Sequence, residues 1–322
     1  MGRFERVRKS HPKSWHTVVK LTLSIEQFSD LFPSDRSVVE HLAKVRFGAD
    51  DRCPKCSGQA RLFLRHTRRS MSCSQCNFDV SVTSGTLFDH SRIALRTWFY
   101  LMLLISNTSA ALSVGFVARH LGVSRMAAFR MLSMIRLHLS RRGEGMIQGG
   151  GGKAIQIDET WIPQVKNSQS AGGSGVIVFG IYGQSGVFTK HIPNRSALVL
   201  MSEILQNTHP DSVFVTDQFR SYAGLSRLGL KHISFNHSKG EWADKDGYSS
   251  VGIESYWANL KYFLRSANLA PSILHLDGYL AEHAFRFNCR KTGKCTFFEM
   301  IAGFPIIDKK SLPRSVQYSD RA

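Results

Sequence analysis

Acidic side chains are scarce in this chain: 24 Asp and Glu stand against 42 Lys and Arg over 322 residues, leaving a formal net charge of +18. Such an imbalance disfavours basic partners and points to a polyanion. Nucleic acid is the commonest one and an acidic membrane surface the competitor. Long apolar runs are lacking as well. No stretch reaches the roughly 18 uninterrupted apolar residues of a spanning helix, and the basic N-terminus has no apolar core behind it, so no membrane span or signal peptide is readable. The expectation is a cytoplasmic, nucleoid-associated protein. Cysteine is sparse, with six residues, and that compartment keeps thiols reduced, which disfavours a disulfide framework. Apolar residues are not lacking. At 43% of the chain, with 11% aromatics, they exclude wholesale disorder and leave room for two or three domains with cores of their own.

What is present falls into five stretches. Residues 1–48 read as a basic arm and helical lead-in: Arg3, Arg6, Arg8, Lys9, Lys13 and Lys20 come first, then Phe28, Leu31, Val38, Val39, Leu42 and Val45 at spacings for short amphipathic helices around Pro33. Residues 49–90 carry Cys53-Pro-Lys-Cys56 and, after 16 intervening residues, Cys73-Ser-Gln-Cys76. Paired C-x2-C knuckles at this separation fit a tetrahedral four-thiolate Zn²⁺ site, with disulfides or idle thiols as the alternatives. Four protein sulfurs leave no open position, so such a zinc is structural and replaces a core this ribbon is too small to build. Arg61, Arg65, Arg68 and Arg69 lie between the knuckles and suit phosphate contact; a solvated basic face is the plainer reading.

Residues 91–145 are helical in pattern. Trp98 to Ile105 reads as a buried helix, and Ser109 to Leu139 as helix, turn at Gly122-Val-Ser124, helix, with Ser124 as N-cap. The second of these helices offers Arg125, Arg130 and Arg136 to solvent beside an apolar face of Ala128, Met131, Leu132 and Ile135. That suits a helix-turn-helix entering a major groove, with bundle packing as the alternative. From Arg61 to Arg142 there are 12 arginines, no lysine and two acids, an asymmetry that favours DNA. Arg141-Arg-Gly-Glu-Gly followed by Gly149-Gly-Gly-Gly152 reads as a linker. Residues 153–292 then alternate strands (154–161, 176–182, 187–192, 212–216, 231–235), with turns at Gly172-Gly-Ser-Gly and 183–186, and helices (195–206, 250–264, 272–288). This is an α/β domain with a mixed sheet and helices on its faces. Residues 293–322 form a basic tail.

The sharpest feature is a set of acids at structurally awkward places. In Ala154-Ile-Gln-Ile-Asp158, alternation sets Ile155 and Ile157 on one face of a strand and Gln156 and Asp158 on the other. A carboxylate near the end of a buried strand costs several kcal/mol, roughly, unless it is paired or binds a metal. Ser212-Val-Phe-Val-Thr-Asp217 repeats the pattern, and Gly252-Ile-Glu254 opens a helix. Three carboxylates from separate elements suit hard divalent cations, which take oxygen ligands and activate water for phosphoryl transfer. Lys261 lies two helical turns beyond Glu254 on nearly the same face, while Ile253, Trp257, Leu260 and Leu264 bury the adjoining stripe. Trp161, Trp242 and Trp257 read as packing rather than base-stacking groups, His237 as structural, and Cys289 and Cys295 as idle thiols. Arg220 and Tyr222 either face DNA or serve the core.

Taken together, Ile157-Asp-Glu-Thr160, Val215-Thr-Asp-Gln-Phe-Arg-Ser-Tyr222, Asn236-His-Ser238, Gly252-Ile-Glu-Ser-Tyr-Trp257 with Lys261, and Ala284-Phe-Arg-Phe-Asn288 resemble insertion-sequence transposases of the zinc-ribbon DDE group, relatives of the Merlin elements. The likeness spans about residues 25–292, ribbon and helix-turn-helix included. It departs from many relatives at Tyr248-Ser-Ser-Val251, where His and Asn are frequent. The resemblance implies an RNase H-like catalytic fold and Mg²⁺ dependence, with Mn²⁺ as a substitute. It also implies cut-and-join chemistry on terminal inverted repeats and target DNA by a homo-oligomer. By position, Asp158, Asp217 and Glu254 become the metal ligands and Lys261 their basic companion. Two rival readings are a catalytically degenerate DNA-binding regulator and a structure-selective nuclease that cleaves without strand transfer.

Overall fold

The computed structural model describes residues 22–48, 52, 53, 55, 56, 62–145, 147–163, 175–236, 243, 245, 247–266 and 273–307. The basic arm (1–20), Arg61, the 172–174 turn, His237, Ser238, Trp242 and tail residues 308–322 lie outside them. The described chain divides into two compact units, one of residues up to 107 together with 293–307, the other of residues 108–292.

The first unit opens with α1 (Ile25–Leu31) and α2 (Asp35–Phe47). Ser24 and Gln27 close a capping box on α1, and Ser34 caps α2 directly after Pro33, so the two helices meet at the proline. Next come β1 (Leu62–Arg65), β2 (Ser70–Cys73) and β3 (Asp79–Ser81), an antiparallel meander in that order. Strands of four, four and three residues bury too little to hold together alone. The remainder is an aromatic core. The helix α3 (Leu95–Asn107) brings Trp98 and Phe99 against Phe32, Phe88 and, from the short helix Thr296–Ile301, Phe297.

The second unit begins with α4 (Val114–Leu121) and α5 (Arg125–Gly143), separated by Gly122 in the left-handed region and by Ser124, whose hydroxyl caps α5 at the amide of Ala127. Then follow β4 (Ala154–Ile162), β5 (Val176–Gly183), β6 (Gly186–Ile192), α6 (Ala197–Asn207), β7 (Val213–Asp217), α7 (Ala223–Arg227), β8 (Lys231–Phe235), α8 (Val251–Ser266) and α9 (Ile273–Lys291). The sheet runs β6-β5-β4-β7-β8, antiparallel through β4 and parallel from β4 to β8. One face buries Ile155, Ile157, Phe179 and Phe214 with Leu200, Ile204, Tyr222 and Leu225. The other buries Val178 and Val187 under Ile253, Trp257 and Leu260 of α8 and Leu276 and Leu280 of α9. Burial of both faces explains why β5 reads as a nearly unbroken apolar run.

Two expectations are corrected here. The glycine run is no linker. Gln148 is fully buried and bonds through its backbone to Asn207 and His209. Gly149 has φ +84°, and a Cβ there would lie 2.1 Å from Ser212 Oγ, so the close approach of two segments of the chain demands glycine. Arg136 is not presented to solvent either. It is 6% exposed, its Nε donates to Glu282 Oε2 at 2.9 Å, and its guanidinium lies 3.8 Å over the Tyr279 ring, because α5 packs along α9.

Candidate functional site

Two centres stand out, one in each unit. In the ribbon, the sulfurs of Cys53, Cys56, Cys73 and Cys76 all lie within 4.8 Å of one another. Cys53 Sγ is 3.6 Å from Cys76 Sγ, and Cys56 Sγ is 3.9 Å from Cys73 Sγ. A tetrahedron of sulfurs each about 2.3 Å from zinc has edges of about 3.8 Å, so the quartet fits the ion. The amides of Gln75 and Cys76 point at Cys73 Sγ from 3.4 and 3.5 Å. The Cys76 amide foremost, with the Gln75 amide and the neighbouring thiols, lowers the Cys73 pKa to about 6. The same crowding raises that of Cys76 to about 11, so one thiolate of the pair is favoured at a time without a metal.

The ribbon arginines are not all alike. Arg65 stacks its guanidinium 5.3 Å over Phe63, Arg68 ends the short turn between β1 and β2, and Arg69 is tied to Asp35 at 2.7 Å. In the second unit Arg125 is exposed at the start of α5, beside Met126, which is 55% exposed; Arg130 is half-buried. Phe116 stacks on His120 at 5.2 Å on α4, leaving an aromatic and basic surface next to the turn.

The second centre is built by the parallel pairing of β4 and β7. Ala154 pairs with Val213, Ile155 with Phe214 and Gln156 with Val215. The pairing ends there; two residues beyond it stand Asp158 and Asp217, close enough for the charge of Asp217 to act on Asp158. Asp158 projects on the α8 side, as the alternation with Ile155 and Ile157 requires, and Asp217 Oδ1 accepts the amide of Phe219 at 2.9 Å. The first two turns of α8 are fastened to β4 at two points: the Ile253 amide donates to Gln156 Oε1 at 2.7 Å, and the Trp257 indole N–H donates to Asp158 Oδ2 at 2.9 Å. Glu254 sits between these anchors and accepts from Ser250 Oγ at 3.3 Å. Lys261 is half-buried two turns further along α8. Among the described residues the cysteine quartet is the one set of three or more ligand groups drawn within 4.8 Å; the three carboxylates stand on adjoining elements without converging that tightly.

Burial pushes the Asp158 pKa up to about 7, and the charges of Glu159 and Asp217 push the same way, against the pull of the Glu159 amide and the Trp257 indole. A dehydrated carboxylate crowded by like charges is stabilised by a divalent cation, and the donors here are hard oxygens. Hard carboxylate oxygens are the donor type Mg²⁺ takes, but among the described residues Asp158, Asp217 and Glu254 are not drawn into one ligand set.

Some roles are not legible from residue types. Spacing assigns Trp257 to packing alone. It is 5% exposed, but its indole also holds Asp158, and it fits because Gly180, opposite Asp158 in the β4–β5 ladder, has no side chain: a Cβ there would lie 2.5 Å from the Trp257 ring. Trp161 departs from the packing expectation in the other direction, being 54% exposed at the end of β4. Tyr222 is wholly buried against the opposite face and does not meet DNA, while Arg220 is exposed. Cys289 and Cys295 are buried and not joined in a disulfide.

Residues 148–288 match the family described as the ISXO2-like transposase domain, and residues 33–78 match the transposase zinc-ribbon domain. An uncharacterized transposase-like protein of Haemophilus influenzae is 35% identical over 102 residues, which is 32% of this chain and 80% of that protein. An uncharacterized protein in transposable element ISH50 of Halobacterium salinarum is 30% identical over 145 residues, 41% of this chain and 43% of that protein. Among solved structures, a pre-cleavage Mos1 transpososome matches 56% of this chain and 73% of that chain with 14% identity and a TM-score of 0.20, too low to carry an argument.

Proposed function

The chain belongs to the ISXO2-like transposase family, and from that premise we propose that it binds the terminal inverted repeats of its element and catalyses Mg²⁺-dependent strand cleavage and strand transfer as a homo-oligomer on DNA. The observation that supports this reading best is the parallel pairing of β4 with β7, two residues before Asp158 and Asp217, together with the bond from Trp257 of α8 to Asp158. The sheet order, with the antiparallel strands at one edge and the parallel strands at the other, supports reading the domain as RNase H-like.

In this reading Asp158, Asp217 and Glu254 hold the magnesium, which when bound supplies charge stabilisation at phosphorus and a lowered pKa for the attacking hydroxyl or water. The chain's own residues prepare that site. The Trp257 indole fixes one oxygen of Asp158, and the Glu159 amide also holds that carboxylate. Gln156 caps the Ile253 amide, so Glu254 is presented at a fixed height on β4. Lys261, on the helix that carries Glu254, contacts the phosphate backbone of the DNA end. The α4–α5 pair acts as a helix-turn-helix in which Arg125 and Arg130 contact DNA. The zinc-held ribbon adds contacts from Arg61, Arg65, Arg68 and Arg69 to phosphates.

The test is a cleavage and strand-transfer assay with candidate inverted repeats. The wild-type chain is expected to nick and join in Mg²⁺, and Asp158→Asn, Asp217→Asn and Glu254→Gln each to lose both steps while still binding the ends. Unchanged cleavage by Asp158→Asn overturns the assignment. End binding without nicking in any metal by the wild-type chain turns it to a DNA-binding regulator, and nicking without joining to a nuclease.

A further inference from the structure

A second cluster of polar groups lies behind the aspartates, on the opposite face of the sheet. Glu159 follows Asp158 on β4, so its side chain points the other way, into the layer that holds Tyr222. Its side chain is 1% exposed and takes Arg195 Nε at 3.3 Å. The Arg195 guanidinium stacks 4.0 Å over the Phe219 ring, and its carbonyl accepts Ser221 Oγ at 2.9 Å. The Phe219 amide in turn donates to Asp217 Oδ1 at 2.9 Å. Tyr222, wholly buried, turns its hydroxyl toward Glu159. One arginine just before α6 thus ties the acid-bearing end of β4 to the turn that follows the acid-bearing end of β7.

A buried ion pair is a poor way to gain stability, since apolar groups of equal volume commonly do as well. What this pair supplies is direction. With Glu159 locked on one face, β4 cannot rotate, and Asp158 is aimed at the other face. With Phe219 pinned under the guanidinium, the turn that orients Asp217 cannot swing. We propose that Glu159 and Arg195 are positioning residues that set the separation and aim of the Asp158 and Asp217 carboxylates, and through them the affinity for divalent metal. The proposal rests on the carboxylate reading above. Groups that orient ligands in this way change metal affinity by about 10-fold to 100-fold when removed.

The experiment measures Mn²⁺ binding to the DNA-free full-length chain by electron paramagnetic resonance, alongside the metal dependence of end cleavage. Glu159→Gln, which keeps the shape, and Arg195→Gln are each expected to weaken Mn²⁺ binding about 10-fold or more, with cleavage recovering as metal is raised. The double variant is expected to be no weaker than either single one, because both changes break the same link. Arg195→Lys keeps the charge but not the stacking, and serves if a glutamine variant fails to fold; it is expected to fall between wild type and Arg195→Gln. Affinities within twofold of wild type in folded variants overturn the proposal. So does a Glu159→Gln chain that binds no Mn²⁺ at any concentration, which makes Glu159 a ligand itself. Asp158→Asn separates the two levels: if it binds Mn²⁺ normally, the carboxylate reading has failed, whereas if it loses Mn²⁺ while Glu159→Gln does not, only the positioning role has.

Discussion

At the scale of single residues, the site is assembled against stability. Asp158 is held with its pKa raised to about 7, chiefly by burial, so the folded state prefers it protonated. A raised carboxylate contributes fully below its unfolded pKa, near 3.9, and that contribution is lost as pH rises through about 7. Metal-free protein should therefore weaken between about pH 4 and pH 7 on account of this group. Asp158→Asn, which mimics the protonated form, is expected to leave the Tm unchanged near pH 3 and to raise it at pH 8, by an amount worth at most roughly 4 kcal/mol. A scan showing the same Tm difference at both pH values would remove the argument. The close fit of Gly180 under Trp257 gives a second outcome. Gly180→Ala has no room for its Cβ, so the indole is displaced from Asp158. It is expected to cost about 1–3 kcal/mol of stability by overpacking and to lower the cleavage rate, whereas Trp257→Phe keeps most of the packing and loses the N–H. Because that N–H favours the ionised carboxylate, Trp257→Phe should shift the acid limb of the pH–rate profile towards alkaline pH.

At the scale of elements, what is legible depends on whether the signal is local. Alternation in 154–158, the N-cap at Ser124 and the paired knuckles each report on neighbours within a few residues, and the strands and helices they predict are present. The side of β4 on which Asp158 projects is legible for the same reason. Arg136 and the glycines at 149–152 mislead because their partners lie far off in sequence. On composition an arginine on a helix is a surface charge, and only the packing of α9 on α5 shows that Glu282, 1% exposed, takes Arg136 on one oxygen and Arg286 on the other at 3.1 Å. Nothing in residues 148–152 announces Ser212. The Arg136–Glu282–Arg286 triad binds α5 to α9, and breaking a buried pair by removing one member costs about 3–5 kcal/mol. Glu282→Ala is therefore expected to lower stability by that order in chemical denaturation. The triple variant Arg136→Met, Glu282→Leu, Arg286→Met, which removes all three charges at similar volume, is expected to be far milder. If the triple variant is the worse of the two, the triad is a true source of stability and not a charge requirement.

At the scale of the whole molecule, the chain is two compact units with different means of support, a difference the amino-acid composition does not reveal. One rests in part on four sulfurs, the other on a sheet buried on both faces. Removing the ribbon metal with a chelator is expected to release about one zinc per chain and to abolish the folding of 52–81, while leaving the thermal transition of the sheet unit in place. On the function proposed above, charge directs both units to DNA. A net charge of +18 makes sequence-independent affinity for DNA mostly a matter of counterion release, so the logarithm of the binding constant should fall linearly with the logarithm of salt concentration. Each arginine that contacts a phosphate contributes about 0.9 to that slope. Arg65→Gln, Arg68→Gln and Arg125→Gln should each flatten it by roughly that amount, whereas Arg136→Gln should not, because its guanidinium is occupied by Glu282 in the interior. Arg69 divides the possibilities: its pairing with Asp35 at 2.7 Å must be given up before it can meet a phosphate, so Arg69→Gln should flatten the slope less than Arg68→Gln does. Equal slopes for Arg68→Gln, Arg125→Gln and Arg136→Gln in a fluorescence-anisotropy titration across salt would mean that DNA is held by other residues, the N-terminal basic arm foremost among them.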